Sequence, residues 1–502
     1  MRLNKILSGF LLSTLFLLSS CVDLDNEPLG QARAGKIASE ELAFKSLTAV
    51  YSDFKDFRYT WSMQAFGDIL SDDATHSGSD EDVNQFQLME QYAYPADHVQ
   101  IRNKYTFSYY CINKANQIIK DLEEADDNLF IKYNKEQMIG EAKFLRAYSY
   151  FELVKIYGGV PLWTEPQDMN HERLKRATVE QVYEVINRDL EYAANILPTK
   201  GDVDYNTYAG RITKGAAYAM QTRVFLYQKK YSDVRTAAKK LFSLNDYELV
   251  SRDDYAKQFR LEGEHSSESI LEINMYTSKT STGYGVNNGN RHVLMSLPRT
   301  LTMGFGCAQP TNLLAKAFDD AGDAIRKEAS LISSSTVVQI EKAANPKASD
   351  LSGNRTGWYN RKLYLGPGER YENAGNNQPL NHKLIRLSEV YLNYAEACAM
   401  DATKDEQEAR KYLNLIRNRV GLSDNTSSGQ QLFDDIINER RLELAMEGFR
   451  FFDIVRTGKA KEIFKDLKKT NAETVYTFKD GAEVLPIPQS EVDISNGGIT
   501  NN

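Results

Sequence analysis

The sequence predicts a mainly α fold: a scaffold of helical hairpins carrying a loop-rich region with minor β content. Three observations predict it. Apolar residues recur at helical spacing toward both ends of the chain, small Ala and large Tyr alternate where helices would face each other, and a Gly/Asn/Ser-rich stretch separates the two helical parts. The 29 Tyr against 22 Phe and 3 Trp fit that scaffold, because a ring can fill a gap between helices while its hydroxyl finds a partner. Composition removes the competing classes. With 42% hydrophobic and 11% aromatic residues the chain is too apolar to stay disordered. Thirty Gly and 12 Pro are too few for collagen-like or linker-like repeats, and four Cys in 502 residues are too few for a disulfide scaffold. A net charge of −8 and a pI near 5.5 repel phosphate, so no nucleic-acid partner is expected. The length allows about three domains at roughly 150 residues each, or one large helical array.

Taken in order, Arg2 and Lys5 precede an apolar run, Ile6 to Leu18, that is too short for a bilayer needing ~20 residues and reads as a secretory signal peptide over residues 1–20. Leu18-Ser19-Ser20-Cys21 resembles a bacterial lipobox, which makes Cys21 the lipidated first residue and the mature chain anchored rather than membrane-spanning. Cleavage removes Arg2 and Lys5 from the 61 basic residues, leaving 59 against 69 acidic, a net −10. Residues 21–39, with Asp23, Asp25 and Glu27, form a flexible acidic tether. Residues 40–502 are expected as one domain. Its helical part runs to about 260, its loop-rich part spans about 261–381, and C-terminal helices fill about 382–502.

In the first part, Phe144, Leu145, Tyr148, Phe151, Val154 and Ile156 put an amphipathic helix over Ile139 to Tyr157, stopped by Gly158-Gly159 and Pro161. Thr178-Val179-Glu180-Gln181 is a capping box that opens the next helix, which closes before Pro198. Arg211 to Tyr227 and Ser232 to Leu244 pair around Tyr231. In the middle part, Ser269 to Ile273, Thr336 to Ile340 and Lys362 to Leu365 read as short strands, and Gly283 to Gly306 as a loop. Helices return over Lys383 to Cys398, Glu406 to Arg419 and Gln431 to Met446. Arg223 to Tyr231 with Ala237-Ala238, and Tyr391 to Ala397 with Ala409 and Tyr412, resemble tetratricopeptide repeats. A long loop-rich block between helical regions marks the place for a binding surface.

Chemistry is sparse. The chain has no G-x-S-x-G, H-E-x-x-H, phosphate-binding loop or G-x-G-x-x-G. The six His (76, 98, 171, 265, 292, 382) lack metal-ligand spacing. Cys111, Cys307 and Cys398 read as buried free thiols. No catalytic residue, metal or cofactor is assigned. Ser52-x-x-Lys55, Ser423-Asp424-Asn425 and Arg456-Thr457-Gly458 match the trio of penicillin-recognising enzymes in order, but the first two lie about 370 residues apart in a helical context, so chance is the reading. Asp72-Asp73 and Asp80-Glu81-Asp82 are candidates for a glycosidase carboxylate pair, with a solvated acidic loop as the plainer reading. The most distinctive segment is Ile437 to Asp453. Glu439, Arg440, Arg441, Glu443, Glu447 and Asp453 form an expected buried ionic clamp, with Arg440 placed to pair with Glu443, and Gly448 is placed as the helix C-cap.

At that segment the sequence resembles the SusD/RagB family of outer-membrane lipoproteins of Bacteroidetes. Asn438 to Asp453 resembles the family's C-terminal signature, and Gly140 to Leu162 its N-terminal one. Ile385 to Ala397 and Leu413 to Gly421 resemble its later repeat helices, and Leu485 to Glu491 its terminal segment. The resemblance implies a SusD-like fold whose tetratricopeptide-like hairpins carry irregular ligand-binding loops. It implies a non-catalytic surface protein that acts as the lid of a SusC-like TonB-dependent transporter and captures oligosaccharide, or in some relatives peptide. A surface glycoside hydrolase is the competing reading. The motifs transfer no ligand contacts. Sugars stack C–H faces on flat rings and bond their hydroxyls to polar side chains, so three loop groups are the ligand-binding candidates: Trp358 with Tyr359; Tyr284, Asn288 and Arg291; and His76, Asp80 and Tyr92. Trp61 and Trp163 read as core.

Overall fold

The computed structural model describes residues 37–77, 80–167, 175–275, 289–299, 304–347, 353–371, 377–470 and 478–501. The predicted signal peptide, Cys21 and most of the predicted tether lie outside these, as do Tyr284 and Asn288. Helices of seven or more residues are numbered in chain order. They are α1 Glu40–Asp53, α2 Phe57–Gln64, α3 Asp80–Glu90, α4 Val99–Glu123, α5 Lys135–Tyr157, α6 Val179–Ile196, α7 Lys214–Tyr227, α8 Tyr231–Phe242, α9 Asn312–Asp320, α10 Ala324–Ser330, α11 Ser334–Ala344, α12 Leu387–Met400, α13 Glu406–Arg419, α14 Gly429–Glu443 and α15 Arg450–Arg456. Among the described residues no helix is long and apolar enough to cross a membrane, and Cys111, Cys307 and Cys398 are buried and in no disulfide.

Successive helices pack as neighbours: α4 on α5, α5 on α6, α7 on α8, α12 on α13. Their ends follow the local sequence. Thr178 and Gln181 form the reciprocal capping box of α6, and Gly158 takes a left-handed φ of +72° where α5 stops. The two repeat-like segments, distant in sequence, meet because α12 packs on both α7 and α8. An aromatic cluster closes that seam: the Tyr412 ring centroid lies 5.0 Å from Phe242, 4.9 Å from Tyr391 and 4.7 Å from Tyr394. Much of the tyrosine excess is spent in this way. Tyr148, Tyr150 and Tyr157 are buried, and the hydroxyls of Tyr150 and Tyr157 donate to the Trp163 and Ile101 carbonyls at 2.8 and 2.7 Å.

The β content is three two-stranded antiparallel pairs. Strand β1 (Ala74–Thr75) pairs with β3 (Gln309–Pro310), β2 (Ser269–Ile273) with β6 (His382–Arg386), and β4 (Leu331–Ser333) with β5 (Trp358–Asn360). Ser269 to Ile273 is a strand, as the sequence predicts. The other two predicted strands are not. Thr336 to Ile340 lies inside α11, whose N-cap Ser333 Oγ accepts from Thr336 N at 3.1 Å; the cap and an apolar face override the β-branched run. Lys362 to Leu365 turns instead, because Asn360 Oδ1 captures the Lys362 amide at 3.0 Å. The helix predicted from Lys383 begins as β6, since its first residues pair with β2.

The signature segment holds the parts together. Glu443, fully buried, is contacted by Arg326 at 3.3 Å, Arg386 at 3.0 Å and Arg419 at 2.7 Å. Arg386 also reaches Glu268 and Glu447, each at 2.7 Å, and Lys362 reaches Glu447 at 2.6 Å. Arg326 bonds Glu439 at 2.5 Å and Asp323. Arg440 does not pair with Glu443, as the helical spacing suggested. It turns to Asp453 at 3.2 Å and to Asn393 at 2.6 Å, and Arg456 joins Asp453 at 2.7 Å. Arg441 and Arg450 bind Asp72 at 2.9 and 2.8 Å, and Arg441 binds Asp73 at 2.6 Å. Asp72-Asp73 is therefore neither a solvated loop nor a free carboxylate pair. Gly448 is likewise not the cap of α14, which ends five residues earlier at Glu443. Its φ is +83°, its N–H donates to Asp68 Oδ1 at 3.1 Å, and a Cβ there would stand 2.9 Å from the Met63 carbonyl.

Two outcomes follow from this packing. Gly448→Ala adds left-handed backbone strain and a clash with Met63, and is expected to lower unfolding free energy by about 2 kcal/mol or more in denaturant melts. Burial raises the Glu443 pKa, but Arg419, Arg386 and Arg326 outweigh it and leave the carboxyl well below its ordinary range. A depressed folded-state pKa means that the unfolded chain takes up the proton first as pH falls. The stabilisation is then complete above about pH 4.5 and is lost below it. Glu443→Gln is expected to cost about 3–5 kcal/mol at neutral pH and to flatten the loss of stability on acidification, read by chemical denaturation at several pH values.

Candidate ligand-binding site

The loop-rich part forms an open cleft of about 670 Å³ whose walls come from the end of α9, from α10, from β4 and the start of α11, and from β5. Trp358 stands at its edge, half-buried. The β4–β5 register places it opposite Ser333. Its indole Nε1 donates to Asn312 Oδ1 at 3.0 Å, which fixes the ring plane. Lys327 Nζ lies 5.4 Å from the Trp358 ring centroid and donates to both Asp319 carboxylate oxygens at 2.5 and 2.7 Å. Ser333, Thr336, Glu328 and Arg361 complete the polar rim. A flat ring beside hydroxyl, carboxylate, ammonium and guanidinium groups in an open cleft is chemistry suited to a polyhydroxylated ligand: the ring takes an apolar face, and the rim exchanges hydrogen bonds with hydroxyls.

The loop before Trp358 is built to hold still. Asn354 Oδ1 accepts from the Thr356 and Gly357 amides at 3.0 and 2.5 Å, its Nδ2 donates to the Trp358 carbonyl at 3.1 Å, and Gly357 takes a φ of +87°. The loop is braced from behind. Gln309 Oε1 accepts from Arg355 N at 2.9 Å, and Arg355 Nη1 donates to His76 Nε2 at 2.9 Å. Since Nε2 accepts, Nδ1 carries the proton and donates to Glu90. Burial pushes the Glu90 pKa up, but Lys469 at 3.1 Å and His76 outweigh it and hold the carboxyl below its usual range.

These placements re-sort the sequence candidates. Trp358 lines the cleft. Tyr359 alternates to the opposite side of β5 and is 1% exposed in a small apolar cluster. His76 is buried and acts on the Trp358 loop from inside, and Tyr92 is buried with its hydroxyl on the Leu70 carbonyl at 2.5 Å. His76, Tyr92 and Tyr359 therefore do not present surfaces to a ligand. Asp80 opens α3, but its side chain is not among those described; Arg291 opens a short helix, Arg291–Ser296, and is not among the described cleft residues. Asn312, Asp319, Lys327, Ser333, Thr336 and Arg361 were missed. Asn312 and Asp319 share α9, Lys327 lies on α10, Ser333 and Thr336 belong to the start of α11, and Arg361 follows β5; stretches this far apart in sequence share no linear pattern. Trp61 is core as expected, and Trp163 is half-buried against the core with Tyr109 at 4.7 Å between centroids.

Comparison with known proteins agrees with this architecture. Residues 333–502 match the SusD family, and residues 24–226 match the family described as starch-binding and associating with the outer membrane. The chain belongs to the SusD/RagB family. A SusD-like protein of Bacteroides ovatus is 24% identical over 88% of this chain and 81% of its own length, and one of Formosa agariphila is 25% identical over 97% of each. Among solved SusD-family structures, a laminarin-binding SusD-like protein superposes with a TM-score of 0.77 at 28% identity, covering 92% of this chain and 99% of that one. Surface glycan-binding protein A from Bacteroides thetaiotaomicron, in complex with laminarihexaose, gives 0.77 at 25% identity over the same shares.

Asn354→Ala removes the acceptor that holds two loop amides. Hydrogen exchange at Thr356 and Gly357 is expected to speed by at least about tenfold, equivalent to about 1.4 kcal/mol, while protection in α4 and α5 stays unchanged.

Proposed function

We propose that this chain is a non-catalytic, cell-surface glycan-binding lipoprotein of the outer membrane. It is anchored through Cys21 and works as the lid of a SusC-like TonB-dependent transporter. Residues 40–502 act as one SusD-like unit. The observation that carries the glycan reading is the Trp358 cleft, where a fixed indole face meets a rim of Asp319, Lys327, Ser333, Thr336 and Arg361. A carbohydrate ring offers the two complementary surfaces: axial C–H groups for the indole and hydroxyls for the rim. The names of similar proteins support it, since they describe binding of surface glycans and laminarin rather than cleavage. Lid and anchor rest on the family together with the Leu18-to-Cys21 lipobox.

Laminarihexaose is the first probe, because a similar protein has been solved in complex with it. Calorimetric titration is expected to give saturable binding that Trp358→Ala weakens by at least about tenfold, or about 1.4 kcal/mol. Incubation should return the hexaose intact. Shorter fragments would overturn the non-catalytic reading, and undiminished affinity in Trp358→Ala would move the site elsewhere.

A further inference from the structure

Another cavity, of about 330 Å³, opens between α1, α5, the Thr207–Ile212 segment and β2. It shares no lining residue with the Trp358 cleft. Phe44, Leu47, Phe144, Leu145, Tyr148 and Ile212 make its interior mainly apolar. It has room for about ten waters at ~30 Å³ each, yet such walls give water few partners, and a cavity of about 150 Å³ lined in this way already prefers an apolar guest.

The charges at its mouth do not cancel. Arg211 is committed to the buried Glu141, which also accepts from the Tyr51 hydroxyl at 2.5 Å. Glu272 is engaged by Lys383 and by Ser269 Oγ at 2.6 Å. The carboxylates flanking Lys55 in sequence are taken as well, Asp53 by Lys114 at 3.0 Å and Asp56 by Arg58 at 2.9 Å. Lys55 itself is half-buried and lines the cavity, and no carboxylate pairs with it among the described residues. Burial lowers its pKa with no anion to offset the effect. Ser52, one turn earlier, is exposed at the same mouth, and its carbonyl accepts from Lys55 N at 3.1 Å as α1 ends. The Ser52-x-x-Lys55 pattern thus marks an ammonium and a hydroxyl over an apolar hole.

We propose that this cavity is a second binding site, for a small monocarboxylate with an aryl or alkyl body, the body filling the ring-lined interior and the carboxylate meeting Lys55 with Ser52 beside it. One ammonium over apolar walls matches one negative charge. A phosphate dianion would bring a second charge that these walls leave unpaired. The site is independent of the glycan reading.

The test uses the purified full-length protein and two probes of one shape, 4-phenylbutyrate and its neutral amide, titrated by calorimetry. The acid is expected to bind at least about tenfold more tightly than the amide. Lys55→Gln should erase that preference, and Lys55→Arg should keep it. Thr48→Trp, an exposed position at the mouth, should block both probes while circular dichroism stays unchanged. Laminarihexaose titration of Lys55→Gln should match the parent protein. Equal affinity for acid and amide, no effect of Lys55→Gln, or no binding of the acid at millimolar concentration would overturn the proposal.

Discussion

Glu443 has no exposed surface and faces three guanidinium groups, from Arg326, Arg386 and Arg419. Each of those arginines belongs to a different element: α10, β6 and α13. Burying such a charge without partners is costly, so the native position of each of these elements depends on the others. The network extends through Glu268, Glu439, Glu447 and Lys362, which ties the loop-rich part to the helical scaffold. Burial of this kind contributes little net stability over an apolar core, but it penalises every misalignment.

The same network sits directly behind the candidate binding cleft. Arg326 and Asp323 lock α10 from inside, while Lys327 and Glu328, the next residues along, face outward into the cleft. The β4–β5 pairing that follows α10 then carries Trp358 into place. Three features hold Trp358: the indole bond to Asn312, the deep charge cluster beneath α10, and the Asn354, Arg355 and His76 brace behind the preceding loop. A flat ring held in one orientation binds without the entropy of ordering it first.

Much of this was legible in the sequence. Periodicity located the long helices, the Thr178 capping box started one of them, and the signature segments identified the family. Local patterns failed where partners far along the chain decide the outcome. Thr336 to Ile340 looked like a strand until the Ser333 cap is considered, and Lys383 to Arg386 looked helical until β2 pairs with it. The spacing of Arg440 to Glu443 suggested an ion pair, but Glu443 is claimed by three arginines that sequence distance hides. The candidate site divided in the same way. An aromatic after a Gly/Asn-rich loop pointed to Trp358, while strand alternation turned its neighbour Tyr359 inward. His76 was grouped with Asp80 and Tyr92 beside the Asp72 loop and proved to be the inner support of a different candidate loop, the one that carries Trp358.

The most direct test is a crystal structure of the protein with the oligosaccharide that binds it best. The account predicts a sugar ring stacked on the Trp358 indole, with hydroxyls on Asp319, Lys327 or Arg361 and little movement of the Asn354 loop from its place here. A glycan bound on another surface, with the Trp358 face left bare, would contradict it.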